Sequence, residues 1–268
     1  MGLVAFLSDF GTRDYYVAAV KATVKSNCPD AEIIDITHEV PPWSLLTGCY
    51  ILSCCFDDFP PGTVFLAVVD PGVGTQRRPL VVRSANYWFV GPDNGLLVCA
   101  AERDPPFRAW VIENPPQSRK SSRTFHGRDI FGPVAAALAC GGSPGSFGRE
   151  CADPARLPAW SPVVEGETVI SRVIHVDRFG NVALNVRREL VSKYLAGEGG
   201  LSLELPGRSV EVPFRETFGE VGVGEPLALI NSCGFLELAI NQGNAAGTFG
   251  LSVGDVVVIR LGSRSRFL

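Results

Sequence analysis

Residues 64–77, VFLAVVDPGVGTQR, constrain the fold more than any other stretch of the chain. An unbroken apolar run from Val64 to Val69 ends in Asp70, then Pro71, Gly72, Val73, Gly74 and Thr75, with Arg77 seven residues after the acid. A short apolar run rich in β-branched and aromatic residues predicts a buried strand. An open α/β sheet places its chemistry at the carboxyl ends of its strands. Glycine there lets the backbone approach a ligand with no Cβ in the way. The residues alone leave two readings open. Asp70 carries chemistry, or it caps a tight turn with Arg77 as a surface ion pair.

The rest of the first half alternates strand and helix patterns. Leu3–Leu7 and EIIDIT read as strands, and Tyr15–Val24 and Ser44–Phe56 as helices. PLVVRS and YWFVG add strands, and 94–102 and 129–140 add helices. This alternation predicts an α/β N-terminal domain over 1–150, with a mixed or parallel sheet and helices on both faces. A Gly- and Pro-rich stretch at 151–167 reads as a linker. From 168 to 268 helical patterns nearly vanish, Arg188–Tyr194 excepted. TVISRVIHV, VALNV, LSLEL, SVEVPF, PLALIN, FLELAI and DVVVIRL read as short strands of a smaller all-β, barrel-like C-terminal domain.

Bulk properties narrow the function. At 268 residues, 46% hydrophobic, the chain can fill a substantial core, and its net charge of −4 argues against a nucleic-acid or anionic-membrane partner. No apolar run approaches the roughly 20 residues that span a bilayer. MGLVAFLSDFG lacks the basic start of a signal peptide, so the expected location is cytoplasmic. The 8 cysteines form no C-x-x-C pair and there are 3 histidines, so no metal site is expected and the cysteines read as reduced, small apolar residues. P-loop, nucleophile-elbow and dinucleotide-fingerprint patterns are lacking.

Several predicted strands end in an acid or amide beside glycine: Ser8-Asp9-Phe10-Gly11, Asp70-Pro-Gly-Val-Gly, and Gly91-Pro-Asp93-Asn94-Gly95. Parallel strands would bring such turns to one edge and one cleft. Phe125-His126-Gly127-Arg128-Asp129 precedes an apolar helix that Asp129 is placed to N-cap. Asp177-Arg178-Phe179-Gly180-Asn181 and Asn231-Ser232-Cys233-Gly234 read as hairpin turns.

Taken together and in order, SDFGTRDYYVAAVK, ITHEVPPWS, VVDPGVGTQR, GPDNGLL, TFHGRDIFGP, VDRFGNVALN, TFGEVGVGEPLALINSCG and LELAINQGNAA resemble one family. These are the S-adenosylmethionine hydrolases that form adenosine and L-methionine (hydroxide adenosyltransferases), relatives of fluorinase and chlorinase. The resemblance implies an α/β domain followed by a β-barrel domain. It further implies a homotrimer with the site at the subunit interface, S-adenosyl-L-methionine as substrate, and no cofactor. It implies that Asp70, Arg77 and His126 are catalytic and hold the attacking water. Asp9 would accept the ribose hydroxyls and Trp43 would wall the ribose. Asp14 and Asp177 would surround the methionine ammonium, Asn181 and Phe218 would contact adenine, and Ser232 the methionine carboxylate. Phe125 counts among the substrate-binding residues.

The halogenases differ where it matters. They carry Tyr-Pro-Ala-Thr-Gly-Thr in place of Asp70-Pro-Gly-Val-Gly-Thr and Tyr-Ser in place of His126-Gly127. A carboxylate at Asp70 would repel a halide. Cys233 stands where they have an Arg, which leaves recognition of the methionine carboxylate open. The sulfonium is a good leaving group, so the task is to aim one oxygen at the ribose 5′ carbon. Two routes are open: Arg77 and His126 stabilise a hydroxide, or Asp70 orients a water. The alternatives are a halogenase or a non-catalytic adenosine or S-adenosylmethionine binder.

Overall fold

The computed structural model describes residues 2–118, 120–194 and 200–260. The chain divides into two compact units, Met1–Leu157 and Pro158–Leu268.

The first unit is a seven-stranded mixed sheet with helices. Its strands are β1 (Leu3–Ser8), β2 (Glu32–Thr37), β3 (Val64–Val68), β4 (Pro79–Arg83), β5 (Trp88–Pro92), β6 (Arg108–Val111) and β7 (Glu150–Cys151), in the order β2-β1-β3-β5-β4-β6-β7. The strands β2, β1, β3 and β5 run parallel, and β4, β6 and β7 add antiparallel pairs. Helices α1 (Tyr16–Asn27), α2 (Leu45–Cys55), α3 (Leu96–Ala101) and α4 (Gly132–Ala139) connect them.

Successive side chains of a strand face opposite sides. Val4, Phe6, Val64, Leu66 and Val68 join one core with Val20 and Val24 of α1 and Val134 and Ala135 of α4. The alternate positions Ala5, Leu7, Phe65 and Ala67 are equally buried, so β1 and β3 expose neither face to water. The strands lie so close that a Cβ on Gly91 would meet the Ala67 carbonyl oxygen at 2.2 Å. Register aligns Ser8 with Val68 and Leu7 with Thr37. The chain therefore leaves β1, β2 and β3 at one edge, and that edge receives Asp9, His38 and Asp70.

The second unit is an antiparallel sheet of β8 (Val163–Glu165), β9 (Thr168–Val176), β10 (Val182–Arg187), β11 (Gly200–Leu205), β12 (Arg208–Pro213), β13 (Pro226–Ile230), β14 (Phe235–Ile240) and β15 (Val256–Arg260). The order is β12-β11-β15-β9-β10-β14-β13, with β8 on β9. A bridge from Phe214, just past β12, to Ala228 of β13 curls the sheet toward a closed barrel. Its core is separate from that of the first unit and draws on Val173, Leu184, Leu203, Leu238 and Val257. Leu261, counted in the strand DVVVIRL, lies outside the described residues.

The ends of the stretch 151–167 are built into the two sheets: Cys151 pairs with Ala109 in the first, and Val163–Glu165 pairs with β9 in the second. Two readings of the sequence need correction. Beside α5 (Arg188–Tyr194) the second unit holds α6 (Ala245–Phe249), too short to show a periodicity and capped by Asn244 Oδ1, which accepts from Gly247 N at 2.6 Å. The cysteines are not all reduced. Cys28 and Cys140 form a disulfide across 112 positions of sequence. Each is the C-cap of its helix, α1 and α4 respectively, and the packing of these helices brings the two ends together. No spacing rule could have paired them. Among the described residues no helix is long and apolar enough to cross a membrane.

A cross-link closing so long a loop typically contributes about 2–4 kcal/mol. Reduction, or Cys28→Ala with Cys140→Ala, should lower the melting temperature of the protein. A melting curve insensitive to reductant, or non-reducing peptide mapping without the Cys28–Cys140 link, would refute this.

Candidate active site

The turn after β3 folds back on itself. Arg77 Nε donates to Asp70 Oδ1 at 2.9 Å and Nη2 donates to Asp70 Oδ2 at 2.5 Å, a fork on one carboxylate. The same Nη2 lies 2.6 Å from His126 Nδ1. A guanidinium only donates, so His126 Nδ1 is bare and a neutral ring carries its proton on Nε2. Burial, then the nearby Arg77 charge, holds the His126 pKa below its ordinary value, which favours that neutral ring. The Arg77 and Asp70 side chains are 10% and 7% exposed, so this is no surface ion pair. Arg77 also packs its guanidinium 5.2 Å from the Phe131 ring centre.

The glycines of this turn serve the chain itself. A Cβ on Gly72 would press on Arg77 Cγ at 3.2 Å, and one on Gly74 would meet the Arg123 carbonyl oxygen at 2.8 Å. Gly74 also has φ +78°, where side chains are strained. Room at 72 and 74 lets Arg77 fold back and lets the segment leading to His126 come close.

Asp70, His126, Asp9, Trp43 and Phe125 line one cavity of about 450 Å³ at the edge where β1 and β3 end. Arg77 lies outside this lining and is bonded to Asp70 and His126, which are in it. Asp9 Oδ2 accepts the Trp43 N–H at 2.9 Å. Trp43 adopts φ +64°, rare for a side chain of this size, and is 72% exposed. Burial raises the Asp9 pKa, with the N–H groups of Trp43 and of Asp9 itself working against it, and the charge of Asp70 adding to it.

Phe10, Tyr16, Val73, Thr124 and Gly127 also line the cavity. They are neighbours in sequence of the charged motif residues, but aromatic, small and hydroxyl side chains carry no label that distinguishes a cavity wall from a core or a turn. Phe10 and Tyr16 both pack on Phe125, at 5.9 and 5.2 Å between ring centres.

Other residues of the first unit go elsewhere. Asp14 is exposed before α1, outside the lining of the cavity. The third Gly turn does not join the other two. Asp93 is taken by Arg78 Nε and the Ala155 N–H, both at 2.7 Å, while Asn94 Nδ2 donates to the Val69 carbonyl at 2.8 Å and so braces the end of β3. Asp129 is not the N-cap of α4. It accepts from Ser122 N at 2.7 Å and pairs with Arg128, within a π turn spanning Gly127–Phe131. Among the described residues, no group of three or more His, Cys, Asp or Glu side chains is placed to hold a metal ion.

Asp177, Asn181, Phe218 and Ser232 lie in the second unit. Asp177 Oδ1 accepts the N–H groups of Phe179 and Asn181, each at 2.8 Å, and Oδ2 accepts from Asn181 Nδ2 at 2.9 Å. The hairpin reading is therefore met in full at 177–181, whatever else these residues do. Phe218 is 41% exposed and opens a 3-10 turn fixed by a Thr217–Glu220 capping box. Ser232 is exposed on the β13–β14 turn, which Asn231 Oδ1 organises by accepting from Cys233 N and Phe235 N at 3.0 and 3.1 Å.

Comparison with known proteins matches the same two units. Residues 4–148 match the SAM hydroxide adenosyltransferase N-terminal domain, and 171–258 match its C-terminal domain. The (R)-S-adenosyl-L-methionine hydrolase of Thermus thermophilus is 42% identical over 260 residues, covering 94% of this chain and 96% of that protein. A fluorinase of Nocardia brasiliensis is 30% identical, covering 97% of each chain. A crystal structure of a conserved protein from Thermotoga maritima superposes with a TM-score of 0.88 at 39% identity, covering 96% of this chain and 99% of that one. The chain belongs to the SAM hydroxide adenosyltransferase family.

Proposed function

We propose that the protein hydrolyses S-adenosyl-L-methionine to adenosine and L-methionine, and that the epimer it consumes is (R) at sulfur. The observation that carries this reading is the Asp70–Arg77–His126 cluster with Asp9 in the same cavity. It is supported by relatives named (R)-S-adenosyl-L-methionine hydrolase at up to 42% identity. Since L already fixes the amino-acid carbon, (R) describes the sulfonium.

The reaction is an in-line displacement. Water oxygen bonds to the ribose 5′ carbon, the carbon–sulfur bond breaks with its electron pair going to sulfur, and methionine leaves as a neutral thioether. No acid is needed at the leaving group. Preformed hydroxide at pH 7 costs roughly 12 kcal/mol. Stabilising it directly would fall to Arg77, but Arg77 is outside the lining of the cavity, and its Nε and Nη2 protons are committed to Asp70 and His126. This arrangement favours the other route. Water donates to Asp70 and accepts from His126 Nε2–H, and Asp70 receives the proton as the carbon–oxygen bond forms. Asp9 holds the ribose hydroxyls, and Trp43 and Phe125 wall the nucleoside.

The active form in this reading is a homotrimer. Asp177, Asn181, Phe218 and Ser232 of one subunit complete the cavity of its neighbour, with Asp14 near the methionine ammonium. The half-exposed Phe218 and exposed Trp43 are surfaces such an assembly would cover. The buried alternate positions of β1 and β3 support helices on both faces of the first sheet.

Asp70→Asn should lower kcat by roughly 100-fold or more with adenosine affinity kept within a few-fold. Wild-type turnover in water enriched in oxygen-18 should label the adenosine 5′-hydroxyl. Unchanged turnover in the variant would remove Asp70 from the mechanism, and an unlabelled product would remove water attack. With substrate resolved at sulfur, the (R) epimer should be consumed faster, and a preference for (S) would reverse the assignment. Light scattering should give the mass of three chains. A monomer that is fully active would rule out the shared site.

A further inference from the structure

A second polar chain lies beneath the cavity. Ser8 Oγ is 2.8 Å from His38 Nδ1, His38 Nε2 is 3.1 Å from Asp35 Oδ1, and Lys21 Nζ donates to Asp35 Oδ2 at 2.5 Å. The Nε2 contact has the distance of an ion pair without hydrogen-bond alignment. Serine, histidine and aspartate in this order suggest a hydrolase triad. Burial excludes it, because Ser8 is 0% and His38 4% exposed and no substrate reaches the hydroxyl.

What the chain does touch is the turn carrying Asp9. Ser8 directly precedes Asp9, and its Oγ also lies 3.4 Å from the Phe10 N–H. The His38 carbonyl accepts the Gly11 N–H at 2.7 Å. His38 thus grips the turn on both sides of Asp9, by its ring at Ser8 and by its backbone at Gly11. The ring is seated edge-on against Phe6 at 4.6 Å between centres. Burial raises the Asp35 pKa, but the Lys21 hydrogen bond and the His38 contact outweigh it and leave Asp35 below the ordinary carboxylate value. A carboxylate beside Nε2 favours the tautomer protonated there, which frees Nδ1 to accept the Ser8 hydroxyl.

We infer that His38, oriented by Asp35, is a positioning residue that fixes the 8–11 turn so that the Asp9 carboxylate meets the ribose diol. The inference rests on the ribose reading of Asp9 above. It would act on ligands only through the two hydroxyls that Asp9 accepts.

The test compares adenosine with 2′,3′-dideoxyadenosine by calorimetry on the whole protein. Hydrogen bonds to a charged group predict that the wild type prefers adenosine by roughly tenfold or more. His38→Leu should bring that ratio to within about twofold by weakening adenosine alone. His38→Asn, whose amide sits where Nδ1 does, should restore part of it. Asp35→Asn, a half-exposed site that a folded protein tolerates, should move the ratio the same way and decides the matter if His38→Leu does not fold. A variant ratio equal to that of the wild type, or equal loss of both ligands, would overturn the positioning role. A wild type without any diol preference would instead overturn the ribose role of Asp9, and this inference with it.

Discussion

One guanidinium joins the two halves of the cluster. Arg77 leaves a turn that begins at Asp70 and returns to the same carboxylate, while its shared Nη2 reaches His126 at the start of the π turn before α4. A buried charge without a partner costs several kcal/mol, so Asp70 and Arg77 hold one another in place, and His126 is fixed by what remains. The geometry follows from the turn sequence. Gly72 leaves space for the Arg77 stem and Gly74 for the backbone at Arg123. A side chain at either position would push the arginine off its acid or the histidine segment off the turn.

Around that cluster the fold supplies parallel strands of matched register. Because β1 and β3 pair from Val4↔Val64 to Ser8↔Val68, the chain turns out of both at the same level. Asp9 and Asp70 thus come from different strands to one cavity with no need for a long loop. Asn94 and the His38 relay brace these two turns from below, one at the Val69 carbonyl and one at Ser8. Trp43 completes the frame with a left-handed backbone whose strain is of order 1–3 kcal/mol. That conformation aims its N–H at Asp9, where it favours the carboxylate against the burial that opposes it.

How far the sequence is legible depends on whether a residue's partner is local. The VFLAVVDPGVGTQR strand and turn, and helices with clear spacing, could be read because neighbours in sequence determine them. Asp70 and Arg77 were legible as a pair, but whether at the surface or enclosed was not, since enclosure comes from Phe131 and His126. Asp93 reads as part of a shared cleft and Asp129 as a helix N-cap until Arg78, Ala155 and Ser122 take their oxygens. The Cys28–Cys140 link and the His38 relay were invisible for the same reason, as each joins elements far apart in the chain. Phe10 and Tyr16 were hidden differently: they shape the cavity with apolar surface, and an aromatic side chain reads the same in a core as in a binding wall.

The charges of the cavity bear on what it selects. Asp9 and Asp70 bring two carboxylates and Arg77 one cation, while His126 is held toward its neutral form. With both acids ionised, one negative charge is left over in a partly enclosed space. A single sulfonium cation neutralises it, and the charge disappears from the substrate as the carbon–sulfur bond breaks. In the proposed mechanism that charge passes with water's proton to Asp70, and once Asp70 releases the proton the cavity again favours the cation over the neutral products, which helps methionine and adenosine leave. A halide beside the bound sulfonium would leave one negative charge unbalanced, whereas a water adds none. The same excess charge means that rate enhancement cannot come from binding the cation alone, since tighter ground-state binding does not lower the barrier to its own disappearance. In the mechanism proposed above the gain comes from aiming the oxygen, which places the burden on the fixed geometry of Asp70, His126 and the arginine between them.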